Sequence, residues 1–156
     1  MHVTLRNFTT EDEAFLYRLY ASTREEELSA LGWDAAQQDL FLKMQFNIQH
    51  RAYTANFPQA DSYIIIADGE QAGRLMLNRT DEEIFMIDLA LLPEYRGAGI
   101  GSTLFKELLA EGAESGKPVI LHVLKENVNA IRLYERLGFS MCADVGMYFR
   151  MECVPT

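Results

Sequence analysis

The succession of apolar segments predicts an α/β fold built around a strand, a helix and a second, parallel strand. Residues 84–92 and 119–124 are largely apolar over strand length, which is typical of strands covered on both faces. Between them, residues 99–115 carry one apolar helical stripe, and residues 128–137 form a further helix that ends at Gly138. Two parallel strands joined through a helix need a right-handed crossover, so this half of the chain is an α/β unit.

The rest of the chain predicts a first strand, two helices and further strands. Residues 3–8 form the first strand, and Thr10 with Glu13 fits a capping box that opens the first helix. A second helix is predicted from residue 35 to about residue 53, and most of its apolar side chains are expected in core or lid packing. The remaining strands are predicted at residues 63–67, 73–77, 139–143 and 146–153.

Length, hydropathy and charge exclude several classes of protein. The 156 residues contain no repeat or linker-like stretch, so we expect a single domain over residues 1–156. The first residues lack the regions of a signal peptide, and no apolar run approaches the roughly 20 residues of a membrane helix. The net charge of −9 argues against nucleic acid as the main partner, because phosphate binding needs a basic surface. We therefore expect a cytoplasmic protein with no membrane or nucleic-acid partner.

The two cysteines, Cys142 and Cys153, do not indicate a metal site. They have no CxxC spacing and no histidine cluster near them, so a structural zinc ion is not expected. A reduced, cytosolic setting is the default for so few thiols. Both are expected to be small buried hydrophobic residues, with a disulfide or a reactive thiol as the alternative.

The segment Pro93-Glu94-Tyr95-Arg96-Gly97-Ala98-Gly99-Ile100-Gly101 joins a buried strand to a helix and predicts an anion site. Its three glycines let the backbone turn sharply and bring N–H groups close to a ligand, and the following helix presents its positive end there. This combination suits a pyrophosphate, with Arg96 as a permanent cation beside it. The glycine spacing fits neither a Walker A loop nor the Rossmann fingerprint. The alternative is a tight turn with no ligand.

Two motifs then identify a family. Arg96-x-x-Gly99-x-Gly101 resembles the acyl-CoA-binding signature Q/R-x-x-G-x-G/A of the GNAT superfamily (Gcn5-related N-acetyltransferases). One helix and one strand later, residues 127–139 match N-x-x-A-x-x-L-Y-x-x-L-G-F at every defined position. The resemblance implies transfer of an acetyl group from acetyl-CoA to a primary amine by direct attack, without a metal. It also implies a mixed, mostly antiparallel central sheet, with a parallel central strand pair that splays apart and helices on its flanks.

The resemblance also assigns the cofactor contacts. Backbone amides of the glycine loop would bind the CoA pyrophosphate, and the backbone of the preceding strand would pair with the pantetheine arm. The N–H of Leu91 would stabilise the developing oxyanion. Asn127 has two roles open to it, as a helix N-cap and as a contact of the cofactor arm. The implied contacts are Leu89, Ala90, Leu91, Arg96, Gly97, Ala98, Gly99, Ile100, Gly101, Asn127 and Tyr134.

Three residues are candidates for the proton transfers. The resemblance implies that Tyr134 protonates the leaving thiolate; the alternative is a tyrosine that packs on the sheet. His122 interrupts an apolar strand and is the first candidate for the general base, with a hydrogen-bonded core histidine as the alternative. Asp88 could orient His122 or bind a cationic acceptor, provided that the two share a face of the sheet. Glu82 and Glu83 are either a further base or a solvated turn.

The acceptor is an amine whose identity the sequence leaves open, because family members accept very different amines. We expect it to contact the first two helices and the last strand, with Trp33 and Tyr148 as candidate lining residues. A non-catalytic acyl-CoA sensor or protein-interaction module is the alternative function. A homodimer through the C-terminal strands is a further expectation.

Overall fold

The computed structural model describes all 156 residues and contains a seven-stranded sheet with four α-helices. The strands are β1 (Val3–Asn7), β2 (Asp61–Ala67), β3 (Glu70–Arg79), β4 (Ile84–Leu91), β5 (Val119–Leu124), β6 (Ser140–Val145) and β7 (Tyr148–Cys153). The helices are α1 (Glu13–Ser29), α2 (Ala35–Asn56), α3 (Ile100–Ser115) and α4 (Val128–Leu137).

The strand order in the sheet is β1-β2-β3-β4-β5-β7-β6. Strands β4 and β5 are parallel, whereas β1 with β2, β5 with β7 and β6 with β7 pair in antiparallel fashion. The β4–β5 register joins Ile84–Met86 to Val119–Leu121, which is only the first part of β4. The predicted α/β class, a mostly antiparallel sheet with one parallel central pair and flanking helices, is confirmed.

The main error in the predicted elements lies at the start of α1. The predicted capping box at Thr10 and Glu13 is wrong by one residue: Thr9 is the N-cap of a short 3-10 turn, and its N–H donates to the Asp12 carboxylate at 2.8 Å. The carboxylate of Asp12 lies beside the Thr9 N–H because Arg6 on β1 binds it in that position.

The chain divides into two compact units. The first comprises Met1–Leu75 and Leu89–Ala98. Its core joins α1 to β2 and to the residue after β4. Helices α1 and α2 meet through aromatic side chains, since the ring of Phe46 lies 5.7 Å from the rings of both Tyr17 and Tyr20. The core residues are Phe15, Leu16, Leu19, Ile64 and Leu92.

The second unit comprises Met76–Asp88 and Gly99–Thr156. Helix α3 buries one stripe of side chains, as its periodicity predicts. The ring of Phe105 on this stripe lies 5.4 Å from that of Tyr134 on α4 and 5.9 Å from that of Phe139. The buried residues of the stripe are Ile100, Leu104, Phe105, Leu108 and Gly112.

A partly buried ionic network joins β1 to the start of α1 in the first unit. The guanidinium of Arg6 donates to both carboxylate oxygens of Asp12, at 2.8 and 2.7 Å, and the side-chain amide of Gln71 donates to the same carboxylate at 3.0 Å. Only 4% of Asp12 is exposed. The hydrogen bonds from Arg6 and from the Thr9 N–H lower the pKa of Asp12 to about 2, although burial of the carboxylate acts to raise it.

Replacing Asp12 by asparagine is therefore expected to lower the free energy of unfolding at pH 7 by about 2 kcal/mol, because the buried, charged acceptor of the network is lost. The folded-state pKa lies below the unfolded value of about 3.9. The stabilisation by the carboxylate is thus complete above about pH 5 and is lost as the pH falls through the folded pKa. Urea unfolding of wild type and Asp12→Asn at several pH values from neutral to acid measures the difference.

Asp34→Asn is the matched control. Asp34 is an exposed N-cap of α2 that accepts from the Gln37 N–H at 2.8 Å, and asparagine caps a helix about as well as aspartate. We expect its unfolding free energy to differ from wild type by less than about 0.5 kcal/mol. If the gap between wild type and Asp12→Asn stayed constant down to about pH 2, the assigned role of the ionised carboxylate would be wrong.

Candidate active site

A groove of about 320 Å³ lies along the end of β4 in the first unit. Thr23 on α1 forms one of its walls, and the Thr23 hydroxyl is tied to its own helix by donating to the Tyr20 carbonyl at 2.7 Å. The sequence did not predict Thr23, because no local pattern in α1 marks which polar residue faces a groove. The residues that line it are Thr23, Leu89, Ala90, Leu91 and Arg96.

Strand β3 approaches the end of β4 closely at Gly73. A Cβ atom on Gly73 would lie 2.1 Å from the Ala90 carbonyl oxygen and 2.9 Å from Cδ2 of Leu91. The two segments are joined by an ordinary backbone hydrogen bond one residue further on, where the Leu92 N–H donates to the Ala72 carbonyl at 2.9 Å. Gly73 is buried and does not have a positive φ, so it is required for space and not for its backbone conformation.

The glycine loop begins in the first unit with Arg96, Gly97 and Ala98, all of them exposed. The Nε of Arg96 donates to the Leu91 carbonyl at 3.0 Å, which uses one of the five guanidinium donors and holds the side chain at the end of β4. Gly97 has a φ of 74°, and nothing lies within 4 Å of where its Cβ would be. The glycine here serves the turn of the backbone and leaves open space above it.

In the second unit the loop continues as the start of α3. Gly99 is the N-cap with a φ of 83°, and no side chain caps the first turn. The space where Cβ atoms of Gly99 and Gly101 would lie is open, while Ile100 between them is buried. Uncapped N–H groups at the positive end of a 16-residue helix suit an anion such as a pyrophosphate. The residues present therefore fit the predicted ligand.

Tyr134 lies on α4 in the second unit, half-buried between the rings of Phe105 and Phe139 at 5.4 and 6.0 Å. Burial raises the pKa of its phenol, so the hydroxyl keeps its proton at neutral pH. Asn127 caps this helix by accepting from the Ala130 N–H at 3.3 Å, as predicted. Leu133 beside it is also only half-buried, because α4 is a surface helix with no fully buried residue.

His122 is exposed on β5, so the alternative of a hydrogen-bonded core histidine is wrong. Its ring meets that of Phe85 at 5.1 Å and faces that of Tyr148 at 6.4 Å. Arg150 is its partner on β7 and forms an ion pair with Glu83 at 3.1 Å. Partial burial and the charge of Arg150 lower the pKa of His122, and Glu83 opposes them. The imidazole is therefore held neutral at neutral pH. Sequence reasoning missed the Glu83–Arg150 pair.

Asp88 does not share a face with His122. Met86 on β4 is in register with Leu121 on β5, and paired residues lie on the same face. Alternation along β4 puts Asp88 on the face of Met86, whereas His122, next to Leu121, lies on the opposite face. The condition under which Asp88 would orient the imidazole is therefore not met. Glu82 is exposed in the turn before β4, where its N–H donates to Thr80 Oγ1 at 3.3 Å.

Helix α2 is far more exposed than predicted. Of its side chains only Leu42 is fully buried, because only a narrow stripe of the helix packs against the rest of the unit. Trp33 precedes it, 37% exposed, with its ring 5.3 Å from that of Phe41. These two rings line a second groove of about 370 Å³ together with Gln37, Leu40 and Met44. Tyr148, the other predicted lining residue, lies in the second unit beside His122.

Neither the cysteines nor any cluster of side chains forms a metal site. Both thiols are free; Cys153 is half-buried, but Cys142 is exposed on β6, so its predicted burial is wrong because β6 ends the sheet. No three histidine, cysteine or acidic side chains cluster in a way that could hold a metal ion. None of the helices combines the length and the hydropathy needed to cross a membrane.

Curated relatives resemble part of the chain. The spermine/spermidine N(1)-acetyltransferase of Bacillus subtilis is 34% identical over 91 residues, which are 57% of this chain and 50% of that protein. The ribosomal protein bS18-alanine N-acetyltransferase of Haemophilus influenzae is 27% identical over 85 residues, 53% of this chain and 58% of that protein. The mycothiol acetyltransferase of Corynebacterium aurimucosum is 40% identical over 63 residues, 40% of this chain and 20% of that protein. The matches thus span a fifth to less than two thirds of these relatives.

Solved structures share the whole fold at low identity. The PaiA N-acetyltransferase of Thermoplasma acidophilum, in complex with coenzyme A, aligns over 99% of both chains with a TM-score of 0.71 and 19% identity. Ard1 of Thermoplasma volcanium aligns over 100% of this chain and 99% of its own, with a TM-score of 0.66 and 21% identity. At these identities the likeness concerns the fold.

The family model described as the acetyltransferase (GNAT) family matches residues 15–139. That range contains both sequence motifs, the end of β4, the glycine loop and α4. The chain belongs to the acetyltransferase (GNAT) family.

Proposed function

We propose that the protein is an N-acetyltransferase that takes an acetyl group from acetyl-CoA and transfers it to a primary amine. The observation that carries this proposal is the open glycine loop, in which Gly97 and Gly99 adopt left-handed backbone and the first turn of α3 has no side-chain cap. Membership of the family supports the same acyl donor. We further propose that residues 1–156 act as one acyltransferase domain, without a metal, in the cytoplasm.

The local geometry of each segment supports the proposed cofactor contacts. In our proposal the amides from Arg96 to Gly101 bind the pyrophosphate, because glycines without neighbours within 4 Å let an anion reach the backbone. The backbone of Leu89 to Leu91 pairs with the pantetheine amides, since these residues line the groove at the end of β4. Thr23 and the Arg96 side chain bound the same groove. Asn127 keeps its cap and contacts the cofactor arm.

Acetyl-CoA supplies a thioester carbonyl carbon that is electrophilic enough for direct attack by an amine. The amine nitrogen forms the new C–N bond, the C–S bond breaks, and the thiolate leaves with its electron pair. The nitrogen loses one proton and the sulfur gains one, so the reaction needs no oxidant or reductant. The chain must therefore supply a base, an acid and a donor for the charge that develops on the carbonyl oxygen.

His122 is the proposed base. A lysine-like amine has a pKa of about 10.4, so a group that takes its proton at neutral pH raises the reactive fraction. The lowered pKa of His122 keeps the imidazole neutral and able to accept that proton. Its exposure lets an acceptor reach it, with the rings of Phe85 and Tyr148 beside it. Asp88, on the opposite face, takes no part in this transfer.

Tyr134 is the proposed acid. Its raised pKa keeps the phenol protonated at the pH at which the thiolate leaves, so the hydroxyl can donate to sulfur. Packing between Phe105 and Phe139 fixes the ring and so the direction of the hydroxyl. Helix α4, capped by Asn127 and ended by Gly138, carries it on a rigid element.

The acceptor is proposed only as a class. By their names, two of the relatives acetylate spermine and spermidine and the alanine of ribosomal protein bS18, and the third is a mycothiol acetyltransferase. A chain with a net charge of −9 favours a cationic amine among such acceptors through long-range attraction. Calorimetric titration with acetyl-CoA, followed by thiol release with polyamines, lysine and N-terminal peptides, tests the proposal. Tight binding without turnover on any amine would favour the non-catalytic sensor.

Tyr134→Phe is expected to lower kcat by about 100-fold, because the leaving thiolate loses its proton donor. The dissociation constant for CoA should change little, since the ring and its packing stay in place. Thiol release at saturating acetyl-CoA measures kcat, and calorimetry measures binding. Tyr17→Phe, which removes a hydroxyl bound to Asp39 at 2.6 Å, is the control and should leave kcat unchanged. An unaltered kcat in Tyr134→Phe would rule out the assigned acid.

His122→Ala is expected to lower kcat/KM at pH 7 by about 100-fold. Because the pKa of His122 lies below its ordinary value of about 6.5, wild-type activity should be retained at pH 7 and fall as the pH drops through that pKa. The variant should not show this loss of activity at acid pH. The effect of protonating the acceptor amine should be the same in both proteins. The exposed His50 on α2 gives the control His50→Ala. A wild-type pH profile that survives in His122→Ala would show that another group is the base.

Thr23→Trp is expected to weaken acetyl-CoA binding at least about 10-fold, because a large ring on α1 would fill the groove beside β4. Thr54→Trp on α2 is the matched control: Thr54 is also exposed and also donates to its own helix, at 2.9 Å to the His50 carbonyl. Calorimetry with acetyl-CoA compares the two variants. Equal affinities in wild type and a folded Thr23→Trp would mean that the groove does not hold the pantetheine arm.

A further inference from the structure

We propose that Gly73 on β3 is a positioning residue that directs the Leu91 N–H towards the carbonyl oxygen of the bound thioester. This inference rests on the proposed acyl transfer and adds to it the means by which the oxyanion donor is aimed. It is carried by the contact between Gly73 and the Ala90 carbonyl, both of which lie in the first unit.

The Ala90 carbonyl oxygen lies unusually close to β3. In a strand the Cβ atom stands out of the sheet, so the site of a Cβ marks the face of the strand and not its hydrogen-bonding edge. The Ala90 oxygen lies 2.1 Å from the site of a Gly73 Cβ, and the Ala90 carbonyl carbon lies 3.1 Å from it. The carbonyl therefore rests over the face of β3, in the place that any side chain at position 73 would take.

The peptide plane between Ala90 and Leu91 relates the direction of this carbonyl to that of the Leu91 N–H. The Ala90 C=O and the Leu91 N–H belong to one trans peptide, since the chain has no cis bonds, and the two groups point in opposite directions. With the oxygen resting on β3, the Leu91 N–H must point away from β3. Leu91 itself lines the groove, so this donor is directed to the groove side of β4.

The peptide between Leu91 and Leu92 is also fixed. The Leu92 N–H donates to the Ala72 carbonyl at 2.9 Å, and the Leu91 carbonyl accepts from Arg96 Nε at 3.0 Å. These two bonds hold the peptide between Leu91 and Leu92 from both of its ends. The peptide that carries the Leu91 N–H is thus seated on Gly73, and the peptide that follows it is anchored by hydrogen bonds.

The consequence is a strict demand for glycine at position 73. A side chain there would have to move the Ala90 oxygen by about 0.9 Å or more to open the contact from 2.1 Å to 3.0 Å. The same peptide plane carries the Leu91 N–H, so the donor would turn with it. An oxyanion donor acts within a narrow window of about 2.7–3.1 Å, so a displacement of this size removes most of its effect.

Gly73→Ala is expected to lower kcat by about 100-fold at saturating acetyl-CoA, in line with loss of one oxyanion donor. The dissociation constant for CoA should rise far less than kcat falls, by about 10-fold at most, because CoA has no thioester carbonyl for the donor to recognise and loses only part of its proposed backbone pairing with β4. Thiol release and calorimetry on the full-length chain give the two values. A general loss of structure would instead change both together.

Gly112→Ala is the matched control. Gly112 is a buried glycine of α3, and its Cβ would lie 2.9 Å from the Lys117 carbonyl oxygen and 3.0 Å from Val119 Cγ2. This variant should lose thermal stability, as Gly73→Ala does, but should keep kcat within about 2-fold of wild type. A folded Gly73→Ala with kcat within about 3-fold of an active wild type would overturn the inference and leave the proposed function intact. A wild type that neither binds CoA nor turns over would defeat the proposed function itself.

Hydrogen exchange on the wild-type protein provides the test if Gly73→Ala does not fold. In the ligand-free protein the Leu92 amide should be protected by its bond to Ala72, whereas the Leu91 amide should exchange much faster because it points away from β3. Acetyl-CoA should slow exchange at Leu91. A Leu91 amide that is already as protected as Leu92 in the free protein would show that it is bonded within the sheet and would overturn the inference.

Discussion

The close approach of β3 to the end of β4 is the constraint on which the first unit's site depends. It occurs at Gly73, where the Ala90 carbonyl occupies the space of a missing side chain. Because a peptide plane is rigid, this one contact determines which way the Ala90 carbonyl and the Leu91 N–H point. The Arg96 side chain then binds the Leu91 carbonyl at the end of β4. The backbone that lines the groove is therefore held in place before a ligand binds.

Glycines thus serve the site in two physically different ways. Gly73 has an ordinary φ and is needed because a neighbouring backbone lies where its Cβ would be. Gly97 and Gly99 have nothing nearby and are needed for left-handed backbone, which leaves open amides at the start of α3. Substitution at Gly73 would act through displacement of β4, whereas substitution at Gly97 or Gly99 would act through backbone strain and through a Cβ in the way of the proposed anion.

Sequence could predict the elements whose signals are local. The segment of β5 and the helix α4 were predicted with their observed bounds, because a short apolar run ended by polar residues and a helix between Asn127 and Gly138 carry their own start and stop signals. The start of α1 was missed by one residue, since the carboxylate of Asp12 is placed by Arg6 from a different strand. Thr23, the exposure of His122 and the face of Asp88 depend on register and packing across elements, which no local pattern reports.

Our central proposal is that the backbone at the end of β4 and the open start of α3 each bind coenzyme A. Titration of isotope-labelled protein with CoA, followed by amide NMR, tests it most directly. The account predicts saturable one-to-one binding, with the largest shifts at the amides of Leu89 to Leu91 and of Gly97 to Gly101. Absence of saturable binding, or shifts confined to other parts of the chain such as the groove beside Trp33, would contradict it.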